Sequence, residues 1–254
     1  MADFRDDAIC IRHWDWSETS QTVSLLTREH GVLRAVAKGA KREKGSFSGG
    51  IELLTRGDVI AIVKPNTSLA TLTSWDLAEN FPVLRTSLKA HNAGMYMADL
   101  VGHLVHEGDA HPLLFDEMLV QLRRLGRADA LDAVLRFQWA ALCEAGYRPV
   151  LDRDARTNEP LQRSDVLCFS PRFGGFVNTG EAGDRLQTWR VRAETLDQLR
   201  RLEAGSADEV VSGAAVDRAA RLLAAYVREI LGRDLPSLRA LFGADLAVLP
   251  VLPG

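Results

Sequence analysis

The sequence has little cysteine. Cys10, Cys143 and Cys168 are odd in number and far apart, which fits neither a disulfide framework nor a CxxC metal pair. No apolar run approaches the ~18 residues of a membrane span, and the opening MADFRDDAIC carries charges where a signal peptide would have its apolar centre. The expectation is a cytoplasmic chain with no membrane partner, in which Asn66-Thr67-Ser68 is a turn and not a glycosylated sequon. Positive charge is not in excess either: 31 Lys+Arg against 34 Asp+Glu give a formal net charge of −3. A surface that binds polyanions over its whole extent is thereby excluded, so any such binding must come from a local patch. A nucleophile elbow, a metal triad, a dinucleotide fingerprint and internal repeats are all missing, which argues against a small-molecule hydrolase.

What is present changes character near residue 80. At 46% hydrophobic and 26% charged over 254 residues, the chain is long enough for two cores. The first part holds short β-type runs at Asp7 to Trp14, Gln21 to Arg28, Gly31 to Lys38, Asp58 to Lys64 and Leu69 to Trp75. Turn chemistry separates them: Ser17 to Ser20, His30-Gly31, Gly49-Gly50 and Lys64-Pro65-Asn66. Five such strands in about 80 residues suit a small closed barrel, most simply an OB-fold.

The remainder has helical spacing. Apolar stripes run through Ala93, Met97, Leu100, Val101 and Leu104, then Phe115, Met118, Leu119, Leu122 and Leu125, then Leu131, Val134, Leu135, Trp139 and Leu142. Gly126 and Gly146 stand as C-caps of the second and third helices, and Pro112 suits a first turn. Residues 147–190 lose the period and read as a small irregular or hairpin insert. Helical spacing returns through Leu196, Leu199 and Leu202 and through Val216, Ala220, Leu223, Val227 and Leu231. The fold class expected is therefore α+β: an OB-fold barrel over 1–80 and a helical domain over 81–254, with the insert at about 147–190.

One patch stands out against the acidic balance. From Arg34 to Lys44 five cations, Arg34, Lys38, Lys41, Arg42 and Lys44, face one acid, Glu43. Beside a barrel of this kind such a loop neutralises phosphates and releases counterions, a sequence-independent source of affinity. It is not a nucleotide phosphate loop, because Lys44 precedes Gly45 where that motif needs glycine first. Stacking on aromatics would favour single strands. Trp14, Trp16, Phe47 and Trp75 lie in or beside the barrel, and since strand aromatics usually belong to the core, Phe47 inside the basic loop is the platform candidate. Asp99, His103 and His106 share a helical face with metal-ligand spacing, but a polar helix face explains them without a further ligand.

Ser17-Glu18-Thr19-Ser20, LLTREHG at 25–31 and VAKGAKREKGS at 36–46 resemble the amino-terminal domain of the RecO family of bacterial recombination mediators. LATLTSWDLAENFPVLRTSL at 69–88 is similar to that family's exit from barrel to helix, and LLAAYVREILGRDLPSLRAL at 222–241 to its carboxy-terminal helix and tail. The resemblance implies a DNA repair role without enzymatic chemistry: binding of single- and double-stranded DNA, annealing of complementary strands, and work with RecR to place RecA on strands coated by single-strand-binding protein (SSB). It implies docking of the acidic SSB tail on a basic and apolar surface of the helical domain. An RNA-binding OB protein is the alternative the residues allow.

Many members of that family hold a structural zinc through two CxxC pairs after the third helix. This chain keeps the frame, AGYRPVLDR at 145–153 and CFSPRFGGFVNTG at 168–180, but has Asp154 to Glu159 and Phe176 to Thr179 where sulfurs are expected. Cys168 alone cannot hold zinc. The expectation is a degenerate zinc-finger-like insert without metal or other cofactor, held by Leu161, Val166, Leu167, Phe169, Phe173, Phe176 and Val177.

Overall fold

The computed structural model describes residues 2–42, 46–47, 50–64, 67, 69–127, 129–178, 188–205 and 213–243. Lys44, Gly49, Pro65, Asn66, Ser68 and the end of the insert, 179–187, lie outside the described residues. The chain divides into two compact units, 1–128 and 129–254. The change of periodicity near residue 80 ends the barrel, whereas the first unit runs on through three helices.

Strands β1 (Ala2–Asp15), β2 (Gln21–Thr27), β3 (Gly31–Ala37), β4 (Arg56–Val63) and β5 (Ala70–Glu79) close into a barrel in the order β1-β2-β3-β5-β4. The pairs are antiparallel except β3 with β5. This is the OB-fold. Alternate residues Val23 and Leu25, Ala35 and Ala37, Val59 and Ala61 fill its interior, as a period of two requires. Small alanines let the walls approach closely, and closure leaves no open sheet edge. The β3–β4 connection supplies the lid: Ala40, Phe47 and Ile51 join the same core.

A bulge in β1 decides what the barrel shows to solvent. Cys10 pairs with Leu25, but Arg12 pairs with Ser24, so Ile11 is an extra residue. Such an insertion reverses the alternation beyond it. Ala8 and Cys10 point inward with the core; after the bulge His13 lies opposite core residue Val23, and Trp14 lies opposite Thr22 on the outer face.

Helices α1 (Val83–Thr86), α2 (Leu88–Leu104) and α3 (Pro112–Arg124) complete the first unit. Ser87 caps α2 through its hydroxyl, which accepts from the Ala90 N–H at 3.3 Å, and Pro112 opens α3. Met97, Leu100 and Val101 of α2 are fully buried, each side chain contributing about 1.5–3 kcal/mol of transfer free energy. Arg12 ties β1 to α2 through Asp99 at 2.9 Å. Gly31, at φ +68°, turns β2 into β3 under the α2–α3 connection, where a Cβ would sit 2.1 Å from the Asp109 carbonyl oxygen. That approach aligns the connection with Val32 and brings Glu107 to Arg34. Gly126 does not act as the expected left-handed cap: α3 ends on Leu125, and Gly126 lies against Val83.

The second unit holds α4 (Ala130–Glu144), β6 (Val166–Ser170), β7 (Gly175–Val177), β8 (Trp189–Arg192), α5 (Ala193–Glu203), α6 (Gly213–Leu231) and α7 (Leu238–Phe242). Gly146, at φ +78°, ends α4 as expected: Tyr147 N–H donates to the Leu142 carbonyl and Gly146 N–H to that of Cys143, both bonds of a Schellman cap. Helix α4 packs on α6, with Gln138 Nε2 donating to the Ala220 carbonyl at 3.1 Å in the contact. The insert is more regular than its sequence suggests: β7-β6-β8 form a three-stranded sheet. Phe169 is its centre, edge-on to Phe176 at 5.4 Å and Tyr226 at 5.2 Å and stacked with Trp189 at 5.8 Å.

Candidate nucleic-acid interface

The basic loop is anchored at both ends. Gly39 at φ +71° begins a turn closed by the Arg42 N–H on the Gly39 carbonyl at 3.1 Å. Ala40 within that turn is fully buried. Gly39 N–H donates to Ser20 Oγ, and Lys41 N–H to the Thr19 carbonyl at 3.1 Å. The β1–β2 and β3–β4 connections thus lie side by side.

The expected site cations do not stand alike. Arg34 is exposed and 3.4 Å from the Glu107 carboxylate. Lys41 pairs with Asp15 at 2.6 Å. Lys38 and Arg42 are exposed, and among the described residues neither has an ion pair. Lys44 lies outside the described residues. The outer face of the sheet continues this charge. Arg12, Ser24 and Arg34 form one cross-strand row and Trp14, Thr22 and Val36 the next, with Lys38 two residues past Val36. In the first row both guanidiniums already face carboxylates, Asp99 and Glu107, so the loop carries the uncommitted charge.

Phe47 requires a correction. It is only 6% exposed and sits in the barrel core, so its ring is not open to a base; the apolar lid of the barrel takes it. Trp75, at 2% exposure, is buried too. The accessible indoles are Trp14 at 50% and Trp16 at 65%. The latter stands in a turn that its own N–H closes on the Ser20 carbonyl at 2.9 Å. Periodicity alone places Trp14 with Ala8 and Cys10; only a bulge, which β1 does not announce, turns it outward.

Asp99 and His103 belong to a different network. Asp99 pairs with Arg12, and His103 Nδ1 is 2.7 Å from the Asp99 carbonyl oxygen and 3.4 Å from Arg12 Nη2. Among the described residues no group of three or more His, Cys, Asp or Glu converges as metal ligands do.

In the second unit the residues at the family's zinc positions do not fit the metal. Cys168 is buried in β6 opposite Val177. The nearly buried Asp154 carboxylate is fully engaged: Oδ1 accepts the N–H groups of Arg156 at 2.7 Å and Thr157 at 3.0 Å, and Oδ2 that of Asn178 at 2.7 Å. Burial by itself would raise its pKa, but the three donors outweigh burial and hold it below the usual carboxylate range. The carboxylate clasps the 154–159 turn to the end of β7. Asn178 adds a second tie, donating to the Pro160 carbonyl and accepting from the Gln162 N–H. Apolar packing is narrower than expected: Phe169, Phe176 and Val177 are buried, but Leu161, Val166, Leu167 and Phe173 only partly so. A polar clasp of this kind leaves no periodic signal in the sequence.

The same unit has an open groove of about 510 Å³ beside α6, lined among others by Tyr147, Arg148, Arg172, Phe173, Tyr226 and Ile230. Arg148 is ion-paired with Glu203. Arg172 is exposed, its guanidinium 5.8 Å from the Phe173 ring centre.

Comparison with known proteins gives matches along nearly the whole chain. Residues 1–81 match the family described as recombination protein O N terminal, and residues 85–239 match recombination protein O C terminal. Similar proteins include the DNA repair protein RecO of Anaeromyxobacter dehalogenans strain 2CP-C, 32% identical with 92% of this chain and 93% of that protein covered. That of Rhodopirellula baltica is 34% identical over 77% of this chain and 73% of its own. That of Roseiflexus sp. strain RS-1 is 34% identical over 92% and 83%. Among the described residues no helix is long and apolar enough to cross a membrane.

Proposed function

The chain belongs to the RecO family of DNA repair proteins, and from that premise we propose that it is a non-enzymatic recombination mediator that grips DNA by its phosphates. In this role it binds single and double strands, anneals complementary strands in the bacterial cytoplasm, and with RecR helps RecA onto SSB-coated strands. No metal or other cofactor takes part.

The observation that carries this proposal is the pair Lys38 and Arg42, exposed and without a carboxylate partner among the described residues, on a turn whose backbone is fixed to the barrel. A fixed turn presents cations without a backbone ordering penalty on binding. Lys41 joins them when a phosphate displaces Asp15, since the new contact is also a charge-assisted bond. For the acidic SSB tail, the groove with Arg172 and Phe173 offers the matching chemistry: a cation for carboxylates and an aromatic wall for apolar side chains.

The test is a salt titration of single-strand affinity. Each phosphate neutralised on a single strand contributes about −0.7 to the slope of log K against log[salt], so Lys38, Lys41 and Arg42 together give about −2. The double variant K38E/R42E should retain its fold, bind roughly 10- to 100-fold more weakly at low salt, and flatten the slope to about −0.7. Wild-type affinity and slope in that variant would rule the loop out.

A further inference from the structure

Charge neutralisation acts on one strand or two, because both carry phosphates. We propose that Trp14 and Trp16 form a base-stacking platform that gives the barrel its preference for single-stranded DNA, an inference that rests on the strand-binding role proposed above for the same face.

Both indoles are placed for this and for little else. Of the other large barrel aromatics, Phe47 and Trp75 are buried and Phe4 is partly buried against the core and stacked on His30, yet Trp14 is half exposed and Trp16 is at 65%. Indole rings are among the largest apolar surfaces a chain has, and leaving two in water within three residues forgoes their burial. The bulge at Ile11 maintains that exposure: were the same sequence paired without a bulge, Trp14 would fall opposite Gln21, on the core side of β1.

Their surroundings match a single strand. Trp14 lies in a row with Thr22 and Val36 on the outer face of β1-β2-β3, the side on which OB barrels can accept an extended chain. Asp15, between the two tryptophans, holds the Lys41 ammonium at 2.6 Å, and Lys41 N–H bonds the Thr19 carbonyl in the Trp16 turn. Cations and indoles therefore share two adjoining connections. A phosphate reaching Lys41 brings its own base, and the next, to the rings.

A duplex cannot use the platform. Its bases are stacked on each other and offer no open face, whereas an unpaired base presents one to any aromatic ring regardless of sequence. The loop cations would serve both forms and the indoles only the open one. Complementary strands held by phosphate and by base face would be released from the rings as they pair. A protein partner could also cover two indoles, but the adjoining Lys38 and Arg42, exposed and without an ion pair among the described residues, favour a polyanion.

The experiment measures fluorescence anisotropy with three probes at one salt concentration: an oligo(dT), the same length of abasic backbone, and a duplex. Wild-type protein should prefer oligo(dT) to the abasic strand. W16A and W14A should each lose about 5- to 150-fold for oligo(dT), with a smaller ratio of single-strand to duplex affinity. W16F should recover most of the W16A loss. The salt slope should stay at the wild-type value in W16A, unlike in K38E/R42E. If W14A/W16A binds oligo(dT) as wild type does, the platform is refuted and the face belongs to another partner, while a weakened K38E/R42E leaves the charge-based role standing. Should W14A/W16A fail to fold by circular dichroism, the wild-type protein still decides: equal affinity for oligo(dT) and abasic backbone overturns stacking. Wild-type protein that binds none of the probes overturns both proposals.

Discussion

Removing the Asp154 carboxylate should loosen the insert more than any single apolar truncation at its rim. Three backbone N–H groups converge on it, at 2.7, 3.0 and 2.7 Å, and hydrogen bonds to a charged acceptor contribute about 1.5–3 kcal/mol each. They do not add in full, because the Arg156 and Thr157 N–H groups lie on an exposed turn and can rebond to water. Asp154→Ala should therefore cost about 2–4 kcal/mol, or roughly 8–15 °C in the melting of a unit this size. Asp154→Asn separates the two halves of the clasp. Its amide oxygen can keep the Arg156 and Thr157 bonds, but its NH2 would face the Asn178 N–H, donor against donor, so about half the loss is expected.

The pH dependence has a definite sign. The folded carboxyl titrates below its ordinary value of 3.8, so its contribution is present above the unfolded pKa and is lost as pH falls through the folded one. Wild-type protein should lose stability on acidification below about pH 4 by a component that Asp154→Ala lacks. Calorimetry of the full chain, with hydrogen exchange at the Asn178 amide as local probe, measures both. An Asp154→Ala protein that melts with wild type and keeps the Asn178 amide protected would refute the clasp. Added zinc should move neither melting curve.

Two further expectations concern single side chains. Cys10 is fully buried and its thiol is pushed up to about 12 by burial, slightly offset by a bond to the Arg12 carbonyl; native alkylation followed by mass spectrometry should find it unmodified until the barrel unfolds, and labelling in the folded state would contradict the closed barrel. In the groove beside α6, Arg172→Glu should weaken binding of an acidic SSB tail peptide about tenfold or more with the fold unchanged, and unaltered affinity by calorimetric titration would place that tail elsewhere.

The barrel was legible because period-two runs and turn residues agree along β2 to β5: Val23 and Leu25, Ala35 and Ala37 alternate as a half-buried strand must. The helices were equally plain from Met97 to Leu142. The aromatic assignment failed for two separate reasons. Alternation is counted from a phase, and Ile11 shifts it without any glycine or proline to mark the place, so Trp14 reads as core; Phe47, in a polar loop, reads as exposed because nothing in its neighbours shows that it closes the barrel. β8 and the Asp154 clasp were hidden for a related reason: a four-residue strand carries too short a pattern, and a carboxylate that bonds its own turn and the distant Asn178 N–H looks like any surface acid. Charge in the loop was readable by composition, but its partners were not, because Glu107 and Asp15 reach Arg34 and Lys41 through tertiary approach.

Ala40 and Phe47 act as two rivets on the barrel rim, and beside the first of them the side chains of Lys38 and Arg42 stand exposed, outside the interior that the rivets close. The sign of charge at these two positions can therefore be altered at an engineer's hand without unsettling the scaffold. If these cations grip DNA as proposed, affinity is in this way uncoupled from foldability, and a variant that grips too tightly or too loosely remains an intact starting point for the next.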